Sequence, residues 1–284
     1  MGAHVLNMRS SRKFWSPWWA QIVAGLFVVL LAVAPWIWLW LGQRGEPLLP
    51  TPDSDAAGLI VVLSLVALLG GWFARVVGRG ATGFAIRTDV GIMLSLLGLA
   101  TQWILGADPG FLQGSSSPES QRELWIFGTL LVISQVLYFV LAKLRLSVVA
   151  LLVALLAFSA GQWLQMVATY TPADPKIYSS LIYAGPLLLG IVLGFLGFLR
   201  AWHLVLWLFA LAIQWIMPSV ISAVVTILEN PAGSWGNSVS KFGELTAASA
   251  VQTDWIIPAL VTLATAMLVS VILLIVRKFR RRSY

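Results

Sequence analysis

Long, continuously apolar runs recur along this chain, and only short polar segments separate them. A membrane-spanning helix needs about 20 mostly apolar residues, and most of these runs reach that length. The runs do not alternate between apolar and polar residues, so they predict helices rather than strands. Only 10% of the residues are charged, whereas a soluble domain carries about 25%. We therefore predict an all-α polytopic membrane protein.

Eight transmembrane helices follow from the apolar runs. Their predicted bounds are 19–41, 57–77, 88–105, 124–142, 146–169, 180–199, 202–228 and 255–276. The predicted organisation is a cytoplasmic segment at 1–18, a membrane domain at 19–276 and a basic cytoplasmic tail at 277–284. The first apolar run is long enough to span and lacks a small-residue cleavage site, so we predict no cleaved signal peptide.

The distribution of basic residues predicts the orientation. With the N-terminus in the cytoplasm, only 4 of the 18 Lys and Arg residues fall on outer loops: Arg44, Arg122, Lys176 and Lys241. Inner loops of membrane proteins are enriched in Lys and Arg. We therefore expect a bacterial cell (inner) membrane protein with both termini in the cytoplasm. Its basic inner face, above all 277–282, should contact anionic lipids of the bilayer. Nucleic acid is excluded as a partner, because the basic residues lie in short loops and tails.

The loops differ in length on the two sides. The inner loops at 143–145 and 200–201 are too short for a cytoplasmic domain, and they predict antiparallel hairpins. The longest outer loop is 229–254. Four of its apolar residues lie at helical spacing, which predicts a short amphipathic helix on the outer interface: Trp235, Val239, Phe242 and Leu245. An ordinary polar loop is the alternative.

A short string is repeated in the outward-running spans. It reads ATQWI at 100–104, AGQWL at 160–164 and AIQWI at 212–216, and a degenerate version, APWI, stands at 34–37. We predict four parallel copies of a helical hairpin, related by an axis along the membrane normal.

The Gln-Trp pairs allow two interpretations. In the first, the Gln amides bond to facing helices, contributing about 0.6 to 2 kcal/mol each, and the Trp rings form an interfacial belt. In the second, an outward-facing cavity uses the Gln amides to bind a polar ligand, such as a sugar or a lipid head group, and the Trp rings stack on it. The candidate ligand-binding or helix-packing residues are Gln102, Trp103, Gln162, Trp163, Gln214 and Trp215.

Small residues and prolines predict how some spans pack. Gly190 and Gly194 form a small-xxx-small step that lets helices approach closely, and we expect this contact inside the protein rather than at a dimer seam. Pro186, Pro218 and Pro258 are expected to kink their helices.

The sequence gives little sign of catalytic chemistry. Asp89 stands beside Arg87 near the inner edge, where an interfacial arrangement is expected rather than a proton relay. His4 and His203 are too far apart for a haem pair. With no Cys, no His-carboxylate cluster and no phosphate loop, we predict no metal, no cofactor, no ATPase and no catalytic residue.

One acidic pair keeps an enzymatic alternative open. Asp53 and Asp55 lie in the first outer loop, where membrane glycosyltransferases that use polyprenyl-phosphate sugars also carry acidic residues. The loop here is about fifteen residues long, shorter than the characteristic loop of those enzymes.

In its size, its eight spans and its lack of ATPase-coupling elements, the chain resembles the accessory integral membrane protein of corynebacterial maltose-type ABC importers. The resemblance implies a non-catalytic subunit that assists carbohydrate uptake beside separate permease subunits, an ATPase and a binding protein. No functional residue carries over from it. The alternatives are a stand-alone transporter or channel for a neutral solute or lipid and, second, an outer-face glycosyltransferase.

Overall fold

The computed structural model describes residues 17–42, 49–52, 55–78, 81–107, 118–144, 146–169, 180–198, 201–229, 235–252 and 256–282. Within those ranges the chain forms ten α-helices and no strand. They are α1 Trp18–Ala32, α2 Ala34–Gly42, α3 Ala56–Val76, α4 Thr82–Ala107, α5 Pro118–Lys143, α6 Leu146–Thr169, α7 Ala184–Leu196, α8 Ala201–Glu229, α9 Trp235–Gln252 and α10 Ile256–Arg282.

Six of these helices are long and apolar enough to cross a membrane: α3, α4, α5, α6, α8 and α10. Helices α1 and α7 are apolar but shorter. The prediction of a multi-pass α-helical membrane protein is thereby confirmed.

The helix bounds follow the predicted spans closely where the apolar run ends sharply. Helix α6 has the predicted bounds, and α3 differs by one residue at each end. Helix α4 begins at Thr82 instead of residue 88, and α10 continues to Arg282 instead of ending at 276. Hydropathy marks only the apolar part of a helix, whereas backbone hydrogen bonding continues into the polar segment beyond it.

The first predicted span consists of two helices. Helix α1 ends at Ala32, Val33 forms a turn, and α2 begins at Ala34. Pro35 has no N–H to continue the helical ladder. The N–H of Trp36 donates to the carbonyl of Val33 at 3.0 Å.

The three prolines expected to kink helices differ in position. Only Pro218 lies in a helix interior, in α8. Pro186 and Pro258 are the third residues of α7 and α10, where a missing N–H costs little because the first-turn donors have no intrahelical partner. Each of these two therefore stands at the start of its helix, and a turn at 182–183 interrupts the predicted sixth span just before Pro186.

The most extensive contacts join α7 with α10, α1 with α4, and α3 with α5. Helices that follow each other directly in the chain pack less extensively than these three pairs, and α6–α7 and α8–α9 have the largest contacts among them. Two contacts give the relative direction of α3 and α5. Ser134 Oγ donates to the Leu63 carbonyl at 2.7 Å, and later in both helices Arg75 donates to the Leu144 carbonyl. These two helices are therefore parallel.

Helices α7 and α10 are parallel by the same reasoning. Thr262 Oγ1 donates toward the Pro186 carbonyl at 3.2 Å, and Ser270 Oγ donates to the Gly194 carbonyl at 3.1 Å. A Cβ atom on Gly190 would lie 2.7 Å from the Thr262 carbonyl oxygen, so only glycine allows this approach. The predicted close packing at Gly190 and Gly194 inside the protein is confirmed.

The core surrounds α3. In its span 67% of the residues are buried, against 17% in the span of α10, which places α3 at the centre and α10 at the periphery. Fully buried Tyr138 of α5 joins this core and donates its hydroxyl to the Ala85 carbonyl of α4 at 2.7 Å. Helices α1 and α4 meet backbone to backbone, since a Cβ on Gly25 would lie 2.1 Å from the Thr88 carbonyl oxygen.

The long loop before α10 contains a helix, as the spacing of its apolar residues predicts. This helix, α9, packs mainly on α8. Phe242 and Leu245 are partly buried, whereas Val239 is exposed. An ordinary polar loop is thereby excluded over 235–252.

Candidate functional site

A cavity of about 180 Å³ lies between α6, α8 and the first turns of α7 and α10. Its lining includes Gln162 of α6 and the pair Gln214 and Trp215 of α8. Of the fourteen lining residues, these are the three whose side chains carry a hydrogen-bonding N or O atom. Two copies of the repeated Gln-Trp string therefore contribute to one site.

Close backbone approaches set the cavity wall between α6 and α7. A Cβ on Gly161 would lie 3.1 Å from the Ile182 carbonyl oxygen, and one on Gly185 would lie 2.2 Å from the Ala157 carbonyl oxygen. Because the lower-numbered end of one helix meets the higher-numbered end of the other, α6 and α7 are antiparallel. The small residue at 161 lets Gln162 stand at the edge of the contact.

Three prolines from three helices line this one cavity: Pro186, Pro218 and Pro258. A proline has no N–H with which to bond the carbonyl four residues earlier. The carbonyl of Gln214 in α8 therefore lacks its usual intrahelical donor. Gln214 lines the cavity, so a residue with an unpaired backbone acceptor stands beside the amide side chains.

Buried Thr262 links the helices around the cavity. Its hydroxyl lies 2.9 Å from Gln214 Oε1, 3.2 Å from the Pro186 carbonyl and 3.0 Å from the Pro258 carbonyl. One hydroxyl has one proton, so it can donate to one of these three acceptors at a time.

The amide nitrogen of Gln214 is the polar atom that the packing does not satisfy. Nε2 is buried and has no hydrogen-bond partner. An unsatisfied buried donor costs about 1 to 3 kcal/mol. Thr262 bonds to Oε1 of this amide, and Nε2 remains able to donate a hydrogen bond beside the cavity.

The other candidate residues lie outside the cavity. Gln102 is exposed on α4, and buried Trp103 packs on Phe127 with ring centroids 6.2 Å apart. Trp163 donates its indole N–H to the Ala32 carbonyl at 2.9 Å, at the break between α1 and α2. The structure thus separates the first repeat from the cavity and gives Trp163 a helix-packing role.

Asp55 starts a helix. Its carboxylate accepts the backbone N–H of Gly58 at 2.7 Å and the indole N–H of Trp36 at 3.1 Å, so it is the N-cap of α3. Asp53 lies outside the described residues. Within the described residues there is no group of three or more His, Cys, Asp or Glu side chains that could hold a metal ion.

Sequence reasoning missed Thr262 and the shared position of the prolines. A single hydroxyl in an apolar helix is an ordinary feature, so Thr262 gave no signal. The prolines gave one, since three successive spans each carry a proline near their predicted outer half, but the sequence does not show that they face one another.

Protein-family models, curated proteins and solved structures were each compared with this chain, and none matches it.

Proposed function

We propose that this chain is a non-catalytic integral membrane subunit that assists a transport complex, with maltose-type carbohydrate uptake as its setting. The observation that carries the proposal is the use of polar side chains for helix packing. Ser134, Tyr138, Trp163 and Ser270 each donate to a backbone carbonyl of another helix. Groups bound in this way stabilise a bundle and are not free to line a path for solutes. The carbohydrate setting follows from the resemblance in size and span number.

The proposed topology has eight crossings, with α1 and α2 forming the first and α7 the sixth. Its support is the parallel packing of α3 with α5 and of α7 with α10, because spans that are two apart run in the same direction through a membrane. Short α7 lies along α10 between Thr262 and Ser270, inside the candidate span Ile256–Val276. Alternate parallel contacts are also what four stacked hairpin repeats would form.

The end of the bundle that carries Arg75 and Lys143 is proposed to face the cytoplasm. Arg75 donates to the Leu141 carbonyl at 3.3 Å, and Lys143 Nζ donates to Thr82 Oγ1 at 2.7 Å. Two basic residues thus lie together at one end of α3, α4 and α5, and the positive-inside rule supports assigning that end to the cytoplasm. In this orientation both termini are cytoplasmic, the membrane is the bacterial inner membrane, and exposed Lys278 near the end of α10 lies close to anionic lipids.

The absence of cysteine makes the topology directly testable. Single substitutions Ser10→Cys, Ser240→Cys and Ser283→Cys report on the two termini and on α9. In intact spheroplasts, an impermeant maleimide should label the Ser240→Cys variant alone, and lysis should make the other two reactive. Labelling of the two terminal positions from opposite sides of the membrane would refute the eight-crossing topology.

Gene deletion, complementation and chemical cross-linking test the proposed function. Deleting the gene should abolish uptake of radiolabelled maltose, and complementation should restore it. Chemical cross-linking in the membrane should join the chain to permease subunits of an ABC importer. Unchanged maltose uptake in the deletion strain would refute the carbohydrate setting.

A stand-alone transporter or channel for a neutral solute or lipid is the second candidate, because Gln162 and Gln214 share a cavity. Purified protein in liposomes should then move the solute without partners, and Gln162→Ala or Gln214→Ala should slow that flux. Flux by the isolated chain would favour this candidate over the accessory subunit.

A further inference from the structure

We propose that the cavity between α6, α7, α8 and α10 binds a neutral lipid through a hydroxyl or carbonyl oxygen, with Gln162 and Gln214 as its polar contacts and Trp215 as part of its wall. The site does not depend on which complex the chain assists.

The volume of the cavity admits part of an organic molecule. One ordered water needs about 10 to 15 Å³, and an apolar cavity of about 150 Å³ can hold a benzene ring. At about 180 Å³, this cavity can take a ring or a short chain segment together with its polar substituent.

The chemistry of the wall restricts the ligand to one or two polar groups. Eleven of the fourteen lining side chains have no hydrogen-bonding N or O atom, and none of the fourteen is ionisable. A sugar would leave most of its hydroxyls unpaired here, and a phosphate would lack a compensating charge. A neutral oxygen on an apolar body matches both the two amides and the apolar remainder.

Gln214 supplies a specific attraction for such an oxygen. Its Nε2 is buried without a partner, although Thr262 engages Oε1 of the same amide. A side-chain rotation that turned Nε2 toward a ligand oxygen would replace an unsatisfied donor with a hydrogen bond. An empty site keeps the desolvation cost, so occupancy is favoured.

The surface that the cavity reaches is apolar. Two of its lining residues, Ile182 and Trp215, are 47% and 39% exposed. In the proposed topology these side chains face hydrocarbon rather than water. A lipid can therefore enter from the bilayer without crossing an aqueous path.

Native mass spectrometry of the purified full chain in detergent tests the proposal. The probes are dioleoylglycerol and geranylgeraniol, which carry the same oxygen chemistry on acyl and prenyl bodies, together with anionic dioleoylphosphatidylglycerol and maltose. At least one neutral lipid should be retained, and the comparison between the two identifies the body that the cavity prefers.

Two cavity variants and one matched control locate the bound lipid. Gln214→Met keeps the volume but removes the amide, and binding should weaken about tenfold, near the upper end for one hydrogen bond. The variant should fold, because Thr262 keeps the Pro186 and Pro258 carbonyls as acceptors. Ala259→Phe fills the cavity and should abolish binding. Gln102→Met removes the glutamine of the same repeat outside the cavity and should change nothing.

Four other outcomes would each overturn the proposal. Equal retention by the wild type and Ala259→Phe would place the lipid elsewhere, and equal affinity in Gln214→Met would remove the amide from recognition. Retention of maltose or of the anionic lipid, sensitive to Gln214→Met, would overturn the class of ligand. If neither neutral lipid is retained, the cavity holds solvent only.

Discussion

Gly190 provides a quantitative test of the α7–α10 contact. In Gly190→Ala, the new Cβ would lie 2.7 Å from the Thr262 carbonyl oxygen and 2.7 Å from Thr265 Cβ, whereas ordinary contacts begin near 3.4 Å. The neighbouring atoms are backbone and a Cβ, which cannot rotate away. The two helices must therefore separate by several tenths of an ångström at this point.

The expected loss of stability is the sum of three terms. Overpacking one methyl group costs about 1 to 3 kcal/mol. Separation also weakens the bonds from Thr262 to Pro186 and from Ser270 to Gly194, each worth about 0.6 kcal/mol on average. Alanine returns about 1 kcal/mol of helix propensity over glycine. The net expectation is a loss of about 1 to 3 kcal/mol in the free energy of unfolding.

Gly98→Ala is the matched control. No atom lies within 4 Å of a Cβ at Gly98 of α4, so this variant should be neutral or gain up to about 1 kcal/mol. Equilibrium unfolding in mixed micelles measures both variants, and light scattering reports their oligomeric state. If Gly190→Ala is as stable as Gly98→Ala, the close contact does not exist. If it instead dissociates a dimer without changing monomer stability, the glycine step is a seam between subunits.

Four further substitutions test individual contacts, three by the free energy of unfolding and the fourth by hydrogen exchange. Trp163→Phe removes the indole donor to the Ala32 carbonyl and should cost about 1 to 2 kcal/mol, and no loss would refute a packing role. Asp55→Ala should cost about 1 kcal/mol through the lost N-cap on Gly58. Asp55→Asn should cost less, because its Oδ1 still accepts the Gly58 N–H although its Nδ2 cannot accept the Trp36 indole N–H, and equal losses would contradict the N-cap role. Arg75→Gln should speed hydrogen exchange at the C-terminal end of α5, whose carbonyls Arg75 engages, and unchanged exchange would show that this contact contributes nothing.

The sequence predicted the helices better than their partners. Apolar length alone placed α6 within its observed bounds, because a helix in hydrocarbon must satisfy its own backbone. The break at Val33 was missed, since the residues around Pro35 are as apolar as the rest of the run. The pairing of helices depends on whether a glycine on one helix lies opposite the backbone of another. Gly190 and Gly194 carried a recognisable spacing, whereas Gly25 and Gly91 belong to different spans and show no common pattern.

The site was predicted in part for a similar reason. The repeated string identified Gln162 and Gln214, and these residues do share a cavity. The same string gave equal weight to Gln102, which is exposed on α4. The repeated string marks equivalent positions in several helices, but the cavity depends on which helices face one another. Thr262 and the three prolines complete the site through tertiary contacts that one span does not encode.

The alternate pairing of helices has a consequence for biosynthesis. Helix α1 packs most extensively on α4 and α3 on α5, so neither helix meets its main partner until the ribosome has made α4 and α5, respectively. Until then, Gly25 lacks the Thr88 backbone and Gly70 lacks the Tyr138 ring as neighbours, and the nascent chain must wait at the translocon or with an insertase. Helices α1 to α5 should therefore assemble together, and a chain truncated after α3 should be degraded rather than accumulate as a stable fragment.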